Sequence, residues 1–369
     1  ECFRYAATRD PEAKALARRS IDAMILLEQV TGIPGFPARA ILPTSGPDIN
    51  LQYTVERDRQ QQVRDPLWKV ISPRWPRSKD GLWYWKCDTS SDEMDGHFFN
   101  FAVYYDLVAD TPEEKKRISS HVRKLMDHIL DHGYYLVDHD GKPTRWGVWA
   151  PEKLNWDINW SNERGLNSLE ILSFLKVAEH VTGDPKYSAA YAGLIREHGY
   201  HLNMVDQKLT FPPSEINDSD DEMAFMCFYT LLSYEKDPAL RALYTRGLYR
   251  SWLFERIERN PLFNFITAAV ADSRAPSVEW QNDLGDFGIA DGIDTLKRIP
   301  LDLISWSSRN SHRKDIVRDP SRRGYQRTNP DGTPGGVLCA DENTVLRWNA
   351  NPFQADTGDN GMREYEPTF

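Results

Sequence analysis

The sequence predicts an all-α chain assembled from repeated helix hairpins. Four Asp-Pro or Thr-Pro dipeptides stand where helices begin, apolar segments of helical length precede three of them, and one capped helix end occurs twice. Each of these has a physical cause.

Asp10-Pro11, Thr111-Pro112, Asp184-Pro185 and Asp237-Pro238 each open a helical pattern. Asp or Thr at the N-cap accepts from the unsatisfied amides of the first turn, and Pro at the first helical position sacrifices no hydrogen bond. Ahead of the last three lie Phe98 to Leu107, Leu169 to Ala178 and Met223 to Leu232, which also read as helix. Phe3-Arg4-Tyr5-Ala6-Ala7 stands before Asp10 as Tyr229-Thr230-Leu231-Leu232 stands before Asp237. The first apolar helix thus lacks its beginning, and we expect a fragment or a processed chain. The second helix of a hairpin ends at His132-Gly133-Tyr134-Tyr135-Leu136, repeated as His198-Gly199-Tyr200-His201-Leu202. Gly there is a left-handed C-cap, and His suits the negative end of the helix dipole. His128 and His132 have the spacing of metal ligands but no third ligand nearby, so no metal and no cofactor are expected.

The apolar helices also start alike. Ser91-Asp92-Glu93-Met94 recurs as Asp220-Asp221-Glu222-Met223, and Asn162-Glu163-Arg164-Gly165 holds the same place between them. Each unit reads acidic start, apolar helix, short turn, amphipathic helix, capped end and long loop. The apolar helix, lacking a broad polar face, is expected on the inside.

These repeats resemble the six-hairpin (α/α)6 toroid of many glycoside hydrolases, polysaccharide lyases and sugar epimerases. The likeness is clearest from residue 91 to 264 and continues more faintly through Phe263-Asn264-Phe265-Ile266 and Leu303-Ile304-Ser305-Trp306. It implies one toroid domain over 1–369, truncated at its N-terminus, with 33–90 as a long loop insertion. Asn349 to Phe369 offers no terminal helix. The resemblance also implies a carbohydrate substrate and a secreted or periplasmic location.

Composition agrees with a packed domain and excludes some partners. Of 369 residues, 40% are hydrophobic, and the net charge of -10 disfavours nonspecific binding to nucleic acid or acidic membranes. No apolar run is long enough to span a bilayer. The four cysteines are far apart, and Cys227 in its apolar stretch reads as a buried thiol. Phosphate loops, nucleophile elbows and His-Glu-x-x-His motifs are missing.

The short turns near 110, 184 and 237 belong at one end of the hairpins. The long loops Gly32 to Ser90, Val137 to Ser161 and Asn203 to Asp218 belong at the other, where a site is expected. Eight of the twelve tryptophans fall in or beside two of these loops: Trp68, Trp75, Trp83, Trp85, Trp146, Trp149, Trp156 and Trp160. Their rings either stack on the apolar face of a sugar or pack the loops down. Lys69–Ile71 and Leu82–Trp85 are spaced to pair as a small β-hairpin around Pro73 to Gly81.

Asp92, Glu93, Asp95, Glu163, Asp221 and Glu222 would converge at the mouth of such a ring. Glycoside hydrolysis needs one carboxylic acid to protonate the leaving oxygen and one carboxylate as nucleophile or base. Ordinary capping explains acids at helix starts equally well. Asp92 and Asp221, at matching repeat positions, are the first catalytic candidates, and Glu163 is next. His97 is a candidate acid, base or hydrogen-bond donor, and Gly96 before it suggests close approach by another group. Lys86, Arg145 and Arg164 either bind a uronate or sulfate or pair with the acidic cluster. Trp83, Trp85, Trp146, Trp156, Trp160 and Asn159 complete the expected binding surface.

A glycoside hydrolase is the favoured reading. The stretch Asn155 to Gly165 resembles the Asn-Trp-rich segment of toroid lyases, where Asn159 or Asn162 would neutralise a uronate, with Tyr53 and His97 as the acid and base. An epimerase would need two cavity histidines, and a noncatalytic glycan-binding toroid would need none of the carboxylates for chemistry.

Overall fold

The computed structural model describes residues 1–208, 218–256, 260–271, 286–298, 316–319, 324–328 and 334–339. Over them the chain is mostly helical with short strands. It divides into two compact units, Glu1–Lys208 with Met226–Tyr244, and Leu209–Phe225 with Thr245–Phe369. Among the described residues no helix is long and apolar enough to cross a membrane.

The first unit holds α1 (Cys2–Thr8), α2 (Pro11–Gln29), α3 (Val55–Arg64), α4 (Ser91–Leu107), α5 (Pro112–Asp131), α6 (Pro151–Leu154), α7 (Arg164–Thr182), α8 (Pro185–His198) and α9 (Tyr200–Asn203). α10 (Asp218–Tyr234) and α11 (Pro238–Glu255) are each divided between the units. The predicted starts are all realised. Asp10 accepts the Glu12 amide at 2.9 Å, Thr111 that of Glu114 at 3.1 Å, Asp184 that of Lys186 at 3.1 Å and Asp237 that of Ala239 at 2.8 Å. Gly199 closes α8 in the left-handed conformation, φ 68°.

Burial separates the helices into the two expected kinds. α7 is buried along almost its whole length, whereas α5 buries one stripe that includes Ile118, Val122, Leu125 and Ile129. Phe98 of α4 stacks on Phe174 of α7 with ring centroids 4.4 Å apart. Ser173 of α7 and Thr230 of α10 share a hydrogen bond of 2.6 Å, and Tyr229 meets both Phe3 of α1 and Phe99 of α4. α4, α7 and α10 run in one direction. Their C-terminal ends meet where Asp106 of α4 takes His180 of α7 at 2.7 Å and the Tyr234 hydroxyl of α10 at 2.8 Å. The starts of α4 and α7 therefore lie at the opposite end, where the long loops enter.

The loop before α4 is built around one buried ion pair. Arg74 donates to Asp58 at 2.9 and 3.0 Å, and Asp58 also accepts the Trp68 indole at 3.1 Å and the Ile71 amide at 3.2 Å. Both charges are desolvated, so removing either would strand the other. This network overturns the predicted pairing of Lys69–Ile71 with Leu82–Trp85. The Ile71 amide is taken by Asp58 and the Lys69 carbonyl by Arg74. β2 (Trp83–Trp85) instead pairs antiparallel with β1 (Ile41–Pro43), Ile41 opposite Trp85. A second ribbon joins β3 (Tyr135–Val137) to β4 (Pro143–Val148), which sequence patterning did not flag.

In the second unit, α12 (Pro261–Val270) packs on α13 (Ile289–Arg298). Asn264 accepts the Trp252 indole at 2.8 Å and donates to Gly288 at 3.0 Å, and Phe225 stacks on Phe263 at 4.4 Å. An antiparallel three-stranded sheet follows, β5 (Ile316–Asp319), β6 (Gly324–Thr328) and β7 (Pro334–Cys339). It corrects the expectation of helical hairpins to the end of the chain. Leu303 to Trp306, Asn349 to Phe369 and most of the Asn203 to Asp218 loop lie outside the described residues.

The Phe98–Phe174 stack gives a first test. Phe174→Ala is expected to cost ~3–5 kcal/mol, read from urea unfolding. A loss below ~1 kcal/mol would mean that α4 and α7 do not share a packed core.

Candidate functional site

The first turn of α4 is fixed by a capping box. Ser90 caps the helix while its own amide donates to Glu93 at 2.7 Å. Glu93 also pairs with Arg39 at 3.0 Å, so its carboxylate is committed to holding the loop on the helix. Burial is the main influence on Glu93, pushing its pKa up, with Arg39 pulling it down. Asp92 is half-buried in the same turn.

One turn on, Asp95 is buried and accepts the Cys227 thiol of α10 at 2.7 Å, while its second oxygen has no partner. Burial and then the charge of Asp92 hold the Asp95 carboxyl well above the usual range, the Cys227 hydrogen bond opposing them. Cys227 is itself pushed well up by burial, Asp95 and Glu170. It is thus a thiol donor rather than a thiolate.

A fourth carboxyl is one the sequence reading missed. Glu170, on α7, is fully buried and accepts the Trp149 indole at 2.7 Å, with its other oxygen unpartnered. Burial raises its pKa most and the charge of Asp95 next, with Asp92 and Glu163 adding to them and Trp149 opposing. These acids thus sit within electrostatic reach of one another. The signal was a lone acid inside the apolar run Leu169 to Ala178, which periodicity reads as core. Glu163 stands at the N-cap of α7, half-buried, with Lys208 at 3.5 Å.

The arrangement is therefore two half-exposed carboxyls at helix starts, Asp92 and Glu163, and two buried ones behind them, Asp95 and Glu170. Asp221 and Glu222 belong to the second unit, in the first half of α10, where Asp221 is buried and Glu222 half-buried. The close approach expected at Gly96 is found elsewhere. A Cβ at Gly96 would meet nothing within 4 Å, whereas one at Gly165 would stand 2.2 Å from the Asp206 carbonyl. His97 faces α5, stacked against Phe101 and 6.2 Å from the ring of His121, and its Nδ1 has no partner. Both ring nitrogens of His128 are engaged, by Pro34 and by the Val137 amide, each at 3.0 Å.

The loop residues separate into packing and open groups. Trp75, Trp85, Trp149 and Trp160 are buried, so Trp85 and Trp160 pack the loops down instead of offering a ring face. Trp85 meets Phe36 edge-on, and Trp160 does the same to Trp146. Trp68, Trp83 and Trp146 are half-buried, and Trp156 is 84% exposed. Asn159 folds back on Asp157 at 3.0 Å in a local turn, Asn162 is exposed, and Arg164 donates to the Leu154 carbonyl at 2.7 Å. Tyr53 packs on Trp75 under the Arg57 guanidinium. Burial and the neighbouring Arg39 pull the half-buried Lys86 down.

Arg145 pairs with Asp65 and lies over Trp146, 4.4 Å from its ring centroid, with its Nε buried and unpartnered. With Arg59, Trp68 and Lys69 it lines a cavity of about 560 Å³. A cavity of about 700 Å³ opens at the short-turn end, lined by Lys176, His180 and Tyr234. Its polar groups are already paired, Lys176 with Glu179 and Glu235, His180 with Asp106. The carboxyl cluster is the better site because it sets two buried acids with open oxygens, Asp95 and Glu170, behind half-exposed ones.

Compared with known proteins, the chain matches no family model, no curated protein and no solved structure. The functional reading rests on the geometry.

Burial holds His97, His121 and His128 neutral, their pKa values lowered to about 4, about 3 and about 4. The unfolded chain takes up these protons near pH ~6.5, the folded chain only near those lower values. Their contribution to stability is complete above pH ~6.5 and drains away as pH falls towards about 4. His97→Gln is expected to flatten that decline by on the order of 3 kcal/mol, measured as urea midpoints at several pH values. An unchanged decline would show that His97 is not buried in its neutral form.

Proposed function

We propose that the protein is a glycoside hydrolase of the (α/α)6-toroid type, acting on an oligo- or polysaccharide by carboxylate acid and base catalysis. The observation that carries it is the pairing of half-exposed Asp92 and Glu163 with the buried acids Asp95 and Glu170 at the starts of neighbouring inner helices. Glycoside cleavage needs one carboxyl that keeps its proton and one that is ionised, and unlike surroundings are how proteins create that difference. Asp92 stands beside Asp95, whose buried carboxyl, held well above the usual range, keeps a proton in the site. Asp92, the half-exposed group at that end, is assigned to pass this proton to the leaving oxygen. Glu163 has Lys208 beside it, a cation that favours a carboxylate, and is assigned as nucleophile or base. Asp95 and Glu170 position and electrostatically tune the two, held by Cys227 and Trp149. Trp156 and Trp83 supply ring faces at the same end.

A lyase is the second reading, and the Arg145 groove favours it. Stacked guanidinium and indole groups with a spare buried N–H suit a uronate carboxylate.

The test is incubation with neutral and uronate-containing polysaccharides, following new reducing ends and ultraviolet absorbance together. Reducing ends without absorbance, falling roughly 10²–10⁴-fold in Asp92→Asn and Glu163→Gln, are the expected result; Asp221→Asn is assayed beside them. Absorbance from an unsaturated product moves the assignment to a lyase. Activity untouched by all three variants removes these carboxylates from the chemistry. Glu170→Gln keeps an acceptor for Trp149 and is expected to shift the pH profile while leaving substrate affinity nearly unchanged. An unshifted profile would exclude its tuning role.

A further inference from the structure

A different cluster lies where the 33–90 loop meets the β3–β4 ribbon. Cys87, just after β2, and Asp138 and His139, just after β3, place one ligand atom each within 4.8 Å of one another. Cys87 and Asp138 are buried, and His139 is half-buried and leads to the surface. A zinc-type ion holds sulfur and nitrogen ligands ~2.0–2.3 Å from itself, which sets tetrahedral ligand atoms roughly 3.5 Å apart. The three atoms can close to that spacing with small side-chain movements.

The surroundings are those of an oriented ligand set. Asp138 accepts the Asp88 amide on one oxygen and the His139 amide on the other, both at 2.7 Å. The Nε2 of His139 lies 3.1 Å from the Pro73 carbonyl. A carbonyl only accepts, so Nε2 carries the hydrogen and Nδ1 keeps its lone pair. Outer partners of this kind fix the tautomer and angle of ligating side chains. The same Pro73 carbonyl stands 4.0 Å from the Cys87 sulfur, leaving the thiol only a weak partner. Charge also balances. Lys69 stands 3.6 Å from Asp138 and 3.0 Å from Asp140. A divalent cation together with Lys69 therefore offsets Asp138, Asp140 and a Cys87 thiolate.

We propose that Cys87, Asp138 and His139 form a binding site for a thiophilic divalent cation of the zinc type, which staples the 33–90 loop to the β3–β4 ribbon. On binding, the Cys87 thiol gives its proton to solvent and its sulfur becomes the ligand. The set supplies three protein ligands, one soft, one borderline and one hard, which suits zinc over calcium or magnesium. This site does not depend on the carboxyl cluster or on the hydrolase reading.

The experiment is to titrate the chelator-treated chain with Co²⁺ as the probe and then with Zn²⁺ as competitor. The expected result is a near-ultraviolet thiolate-to-cobalt band with visible bands of tetrahedral intensity, both abolished by Zn²⁺. Cys87→Ser should lose the thiolate band and Cys2→Ser should keep it. His139→Ala, at a half-buried position, should weaken Co²⁺ by more than the ~10–100-fold that loss of an outer partner costs. Zn²⁺ should also raise the unfolding temperature of the unaltered chain and not that of His139→Ala. Absence of a thiolate band in the unaltered chain overturns the proposal without recourse to any variant, and so does a band that survives Cys87→Ser.

Discussion

A carboxyl group sealed inside an apolar helix has to find a hydrogen-bond donor or stay neutral, and much of the first unit is arranged around that requirement. α7 is buried along almost its whole length, yet it carries Glu170. The donor is Trp149, and Trp149 is delivered by β4. β4 in turn is held to α7 where Asn167 donates to the Val148 carbonyl at 2.8 Å. The Tyr200 hydroxyl donates to the Trp149 carbonyl at 2.7 Å, tying in the start of α9. One buried acid is thus tied to a strand and tryptophan from one stretch of sequence and, through the Trp149 carbonyl, to a tyrosine from another.

Asp95 repeats the theme between α4 and α10. Its donor is a thiol, a weak partner that leaves the carboxyl short of stabilisation for its charged form. Two such acids near Asp92 and Glu163 make a region in which protons are retained against the surrounding solvent. Such a region is costly to a fold, and sites of chemistry are where that cost is commonly met. The N-terminal ends of α4 and α7 also direct their positive dipoles to the same region.

The helix scaffold was legible because its signals are local. Asp10, Thr111, Asp184 and Asp237 announce helix starts within three residues of their partners, and Gly199 ends α8 through its own backbone preference. Acids at helix starts were equally legible, since Asp92 and Glu93 follow the Ser90 cap and Glu163 stands at the N-cap of α7. Glu170 was not, because nothing near it in sequence tells a buried acid from a surface one; its donor is Trp149, in a separate loop. The β1–β2 pairing was missed for a similar reason. A run that alternates like a strand loses that role once Asp58 and Arg74 capture its amide and carbonyl. His97 and Trp85 read as functional types, and only packing shows that one faces α5 and the other sits against Phe36.

The Arg74–Asp58 pair gives the long loop before α4 a property unusual for a connection of its length. Trp68, the Ile71 amide and the Lys69 carbonyl all converge on those two side chains, so the loop is a folded insert with its own polar core. A supple ligand surrenders freedom whenever it docks. A surface that arrives already rigid adds no second entropic penalty to that loss, so even weak contacts can be retained as net affinity. An insert with an internal core can also be lengthened or recast at its tips while Arg74 and Asp58 stay in place. Ligand preference on this scaffold could then diverge without disturbing the helices beneath.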